Sequence, residues 1–209
     1  RLVAPAEWPR VRSLAELAGS VRALQQATAR RAPPIGLSRI NLGGGRALAS
    51  GPALTRRGCL AMAGLADWLA ERLAGLTSPA IETAGRGSVG KLIGLGPGLT
   101  PSGDDVLSGA MLALHAAGRP AIAAELAAMI DDCPLDATSP ISRAHLRAAA
   151  QGLPGETIHG AISAVLSADI PTFDSVLDRV DLIGHCSGWD MLSGAALVLS
   201  VLVERPVIN

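Results

Sequence analysis

Apolar positions recur along this chain at helical spacing, and proline or glycine interrupts them at nearly every junction. Leu14, Leu17, Ala18, Val21 and Leu24 form one stripe, with Ser13 placed to cap it, and predict a helix over 13–31 that Ala32-Pro33-Pro34 stops. Leu54, Leu60, Leu65, Trp68, Leu69 and Leu73 predict a second over 53–74. Further helices are expected over 102–117, 120–131, 139–151, 154–168, 173–180 and 187–203. Their connections are short, so successive helices should pack as neighbours. The stretch 35–52, holding Asn41-Leu42-Gly43-Gly44-Gly45, is turn-rich and offers the one place for a short β element, near 35–51. The pattern predicts a mainly α fold, an Ala/Gly-rich multi-helix bundle. An N-terminal helix and Gly-rich connecting segment would occupy 1–52, and a helical domain 53–209.

Composition sharpens this picture. Hydrophobic residues make up 49% of the 209, yet aromatics are 2%, with no Tyr and one Phe, so the interior must be built from Ala, Leu, Val and Ile. Such small side chains let helix backbones approach closely. Eighteen basic residues balance eighteen acidic ones, and no basic stripe interleaved with aromatics stands out, which excludes the footprint of a nucleic-acid binder. Cys59, Cys133 and Cys186 are widely spaced and form no Cys-x-x-Cys pair, which argues against a disulfide framework or thiolate zinc site and for a reducing compartment. The apolar run 195–203 is broken by Ser200 and is short of the roughly 18 residues of a membrane span. No membrane association and a cytoplasmic location are the expectations.

One pattern occurs twice. Pro101-Ser102-Gly103-Asp104-Asp105-Val106-Leu107-Ser108-Gly109-Ala110 lies on Cys186-Ser187-Gly188-Trp189-Asp190-Met191-Leu192-Ser193-Gly194-Ala195 without a gap. Ser102 and Ser187 stand three residues before Asp105 and Asp190, the spacing of a capping box with Asp in place of Glu. Gly103 and Gly188 leave the first turn bare. Gly109 and Gly194, two turns up, each cost about 1 kcal/mol against Ala, and close helix crossing is the simplest return. The two helices should therefore cross at these glycines and bring their Ser-Gly starts together.

Ahead of the first copy, Gly94-Leu95-Gly96-Pro97-Gly98-Leu99-Thr100-Pro101 makes a stiff turn running into a helix N-terminus. Exposed amides there favour an anion, so Gly96, Gly98, Thr100, Ser102, Gly103, Ser187, Gly188 and Asp190 are candidate substrate-binding residues. Adjacent Asp104 and Asp105 complicate a bare phosphate site. Either Asp105 serves as the cap and Asp104 holds a catalytic proton or orients a substrate amide, or one or both bind Mg²⁺ that bridges to phosphate. Arg143, at a helix start after Ser139 and Ser142, suits a carboxylate or phosphate clamp. His185, directly before Cys186-Ser187, is a candidate general acid or base beside Asp104 and Asp105.

The run 94–109, followed by Ser-Gly-Trp-Asp-Met-Leu-Ser-Gly at 187–194, resembles a bacterial family long catalogued as a domain of unknown function. That family includes the AllH-type subunit of oxamate carbamoyltransferase from anaerobic allantoin degradation. Thr138-Ser139-Pro140-Ile141-Ser142-Arg143, ahead of Leu146 and Gly152, resembles the family's middle motif. The resemblance implies participation in carbamoyl transfer between carbamoyl phosphate and oxamate, alongside other protein subunits, and an N-terminal β-rich region for which only 35–51 is available. Three functions stay open: an enzyme subunit holding an anionic carbamoyl or carboxylate substrate, a non-catalytic assembly or binding subunit, and a stand-alone Mg²⁺-dependent phosphotransfer enzyme.

Overall fold

The computed structural model describes residues 7–39 and 53–204. Nine α-helices are present among them: α1 Leu14–Arg31, α2 Ala53–Leu73, α3 Pro79–Leu92, α4 Ser102–Ala116, α5 Pro120–Asp131, α6 Pro140–Ala150, α7 Glu156–Ser167, α8 Ile170–Val180 and α9 Ser187–Glu204. A short 3-10 turn, Leu135–Ala137, joins α5 to α6, and no β-strand occurs among the described residues. Of the expected β element, Ile35–Arg39 form bends and a turn, while 40–52 lie outside the described residues.

Local chemistry sets the starts. Ser13, Ser78, Ser139 and Asp169 each accept a main-chain N–H from three residues on, and proline follows the serine at α3 and α6. The sequence pattern missed α3, because Gly85, Gly87 and Gly90 depress its helical signal. Packing supplies what propensity withholds. A Cβ on Gly85 would stand 2.5 Å from Trp68 Cδ1, and one on Gly64 would stand 2.4 Å from Ser88 Oγ, so α2 and α3 approach over their small residues.

At the centre α4 lies against α9, both lined with core residues such as Leu107, Met111, Leu192 and Val198. The helices α1, α7 and α2 cover α9, while α3, α5 and α6 cover α4. By length and composition α9 is apolar enough to cross a membrane, with mean hydropathy 1.2 over 18 residues, which the broken run 195–203 had not suggested; 61% of it is buried inside the protein.

Candidate functional site

The two repeated helices cross at the glycines that the sequence marked. A Cβ on Gly109 would stand 1.8 Å from the Met191 carbonyl oxygen, and one on Gly194 would stand 1.9 Å from that of Val106. Val106 and Met191 are themselves equivalent positions of the repeat, so the contact is reciprocal about a local pseudo-twofold axis. The preceding helices extend the symmetry: Gly103 abuts the Leu92 carbonyl at the end of α3, and Gly188 abuts that of Val180 at the end of α8.

This crossing brings the two starts together, but not as two separate capping boxes. Pro101 occupies the cap position of α4, with no side-chain cap bond, and α4 begins at Ser102 itself. The serines are exchanged instead. Ser187 of the second copy hydrogen-bonds Asp105 of the first, and Ser102 of the first hydrogen-bonds Asp190 of the second. Thr100 Oγ1 and Ser187 Oγ are 3.0 Å apart, and Ser102 Oγ lies 3.7 Å from Cys186 Sγ. The reason is geometric: once the glycines let the axes touch, each serine's nearest carboxylate belongs to the other helix.

The Gly-rich turn is as tight as the sequence implied, but its amides are not all exposed as expected: Gly94 donates to Asp104, Leu95 to the Leu92 carbonyl and Gly103 to the Leu95 carbonyl. Gly94, Gly96 and Gly98 have φ of +68°, +120° and +96°, values that residues with a Cβ rarely adopt. Asp104, not Asp105, is the structural tie. Its Oδ1 accepts the Gly94 N–H at 2.7 Å, and its Oδ2 accepts the Ser142 hydroxyl at 2.5 Å together with the Thr138 hydroxyl. One buried carboxylate thus joins the turn, α4 and the start of α6, and its oxygens are occupied. Among the described residues, no group of three or more His, Cys, Asp and Glu side chains is placed to hold a metal ion.

Asp105 and Asp190 are 2% and 0% exposed, and each keeps one buried oxygen, Oδ2, without a hydrogen-bond partner. Burial pushes Asp105 up to about 8; Ser187 opposes the rise, while the charges of Asp190 and Asp104 add to it. Burial also raises Asp190, against hydrogen bonds from Cys186, Ser102 and the main chain of Leu37 and Ser38. The Cys186 thiol is pushed up to about 12, by burial first and then by Asp190, which leaves it protonated and unsuited to nucleophilic attack.

A contributor invisible in the motif is the segment after α1. Leu37 N–H donates to Asp190 Oδ1 at 2.8 Å, and Ser193 donates to the Ser38 carbonyl at 3.2 Å. Gly36 has φ +82°, and a Cβ there would stand 2.6 Å from Asp190 Oδ2. Gly36→Ala should therefore lower the free energy of unfolding by about 1–3 kcal/mol, measured by urea denaturation.

Arg143 is nearly buried, and its guanidinium donates to the carbonyls of Leu135, Cys133 and Pro134, fastening the 3-10 turn to α6; the residue also lines a small pocket with Met111, Ile130 and Arg147. His185 is exposed in the loop before α9, whereas Ser102, Gly103 and Gly188 are buried. The turn also borders a polar groove of about 360 Å³, lined by Arg57, Lys91 and Leu54, whose floor is Gly94-Leu95-Gly96-Pro97. Arg57 comes from the Arg56–Arg57 pair at the start of α2. Lys91 carries no sequence signal beyond its charge.

A mainly helical protein with two equivalent helix starts sharing exchanged serine–aspartate bonds, next to a cationic groove on a glycine turn, is the class that fold and site define. Residues 92–199, more than half of the chain, match the family model described as oxamate carbamoyltransferase subunit AllH. The chain belongs to this family, that of a subunit associated with oxamate carbamoyltransferase. No solved structure matches the chain.

Proposed function

We propose that this chain is the subunit of a carbamoyltransferase complex that holds the small anionic substrate, carbamoyl phosphate or oxamate, at its Gly-rich turn. Its place would be in allantoin and purine breakdown, together with other subunits. The observation that carries the reading is the groove in which Arg57 and Lys91 stand over the backbone of Gly94–Pro97. Two cations beside a backbone kept open at Gly94 and Gly96 suit a compact anion. Neither aspartate lines the groove, and the Asp104 carboxylate is taken up by the Gly94 N–H and the Thr138 and Ser142 hydroxyls.

Calorimetric titration of carbamoyl phosphate and of oxamate into the purified chain tests this. Saturable binding is expected, and Lys91→Ala and Arg57→Ala should each weaken it about tenfold, the loss of roughly one charge-assisted contact. Absence of binding to the folded chain, or variants that bind as the wild type does, would sink the proposal. A purely assembling role is favoured by a different observation: Leu99, Leu135 and Leu182 are 66%, 78% and 83% exposed. Under that reading Leu99→Ser would release the other subunits while leaving anion titrations flat.

A further inference from the structure

We propose that Asp105 and Asp190 hold a single proton between them at neutral pH, forming a buried acid pair that exchanges with solvent through Ser187 and Thr100. Three observations converge. The two carboxyls come from equivalent turns of helices that touch at Gly109 and Gly194, and each is at least 98% buried. Each leaves one oxygen without a donor, which two ionised carboxylates could sustain only at a large desolvation cost. The charges acting on Asp105 are those of Asp190 and Asp104, all of one sign.

The groups facing the pair from each packed element agree with this. From the turn before α9 comes the Cys186 thiol, held in its neutral form. From the segment after α1 come only the main-chain donors Leu37 and Ser38. From α4 itself comes Asp104, bonded to Gly94, Thr138 and Ser142. A proton on one carboxyl supplies the missing donor and removes one of the two like charges.

The route outward is short. Ser187 bonds Asp105 and lies 3.0 Å from Thr100, and both hydroxyls belong to half-buried residues. When the pair loses its proton, Ser187 accepts it from the carboxyl O–H and passes its own hydroxyl proton to Thr100, which in turn releases its own hydroxyl proton to water. The pair is left dianionic and the hydroxyls neutral. This property is independent of which anion occupies the groove.

The experiment is a pH titration of the aspartate side-chain carboxyl carbons by ¹³C NMR in the whole chain. The wild type should show one aspartate carboxyl titrating above about pH 6, well outside the ordinary range. Asp190→Asn should move that step to lower pH by removing the neighbouring charge. Ser187→Ala, which keeps both acids, should move it higher, because Ser187 favours the ionised form of Asp105. Thermal melts add a second readout. The folded chain retains a proton that the unfolded chain releases, so the melting temperature should fall as pH rises from about 4 to about 8. Asp105→Asn should flatten that fall and melt higher than wild type above it. If every wild-type aspartate is ionised by pH 6, or if melting of wild type and Asp105→Asn varies alike with pH, the shared proton does not exist.

Discussion

Gly109→Ala should destabilise the fold by more than about 3 kcal/mol and probe the whole centre at once. Its Cβ would arrive 1.8 Å from the Met191 carbonyl oxygen, and that atom belongs to a helix backbone that cannot rotate aside as a side chain would. The axes of α4 and α9 would have to separate, opening the most buried interface of the molecule and straining the exchanged bonds at both starts. Gly194→Ala meets the equivalent Val106 carbonyl at 1.9 Å and should cost as much. The contrast lies in α3. Gly87 is exposed with nothing within 4 Å of its absent Cβ, so Gly87→Ala should stabilise by about 0.5–1 kcal/mol through helix propensity and a less disordered unfolded chain. Urea denaturation of the three variants decides the matter. Equal effects at Gly87 and Gly109 would mean that the crossing is looser than described.

Asp104→Ala should cost about 3–5 kcal/mol, because it strands three buried donors: the Gly94 N–H and the hydroxyls of Thr138 and Ser142. The effect should reach beyond stability. Gly94 begins the turn that floors the groove, so carbamoyl phosphate binding should weaken although Asp104 lines no part of it. Asp104→Asn keeps one acceptor oxygen and should lose roughly half as much. Denaturation together with anion titration separates the two consequences. A variant as stable as wild type would show that the three donors find other partners.

Much of this architecture was readable before any coordinates. Periodicity and punctuation located eight of the helices, and the repeat, with glycines two turns above each serine, foretold that α4 and α9 would cross and join their starts. Three things were hidden. Helix α3 is masked by Gly85, Gly87 and Gly90, of which Gly85 meets Trp68 of α2, a contact that no local pattern reports. The exchange of serine partners depends on the distance between two backbones, so a spacing of three residues suggested a capping box that the fold does not use. The contribution of Gly36 and Leu37 comes from a segment more than 150 residues before Asp190, with no repeat to point to it.

The reciprocal glycine contacts carry a consequence for how the chain reaches this structure. Nearly every bond of the centre joins residues far apart in sequence: Thr100 to Ser187, Leu37 to Asp190, Ser193 to Ser38. During synthesis α4, apolar over most of its circumference, emerges long before its partner helix, and its own preceding turn cannot shield it. Loop closure over such separations must be completed before these bonds reward it, which makes for slow folding despite a mainly helical fold. A ribosome-bound chain stopped before α9 should therefore expose a sticky, incompletely buried helix to chaperones, and the final helix would act as the latch that closes the molecule.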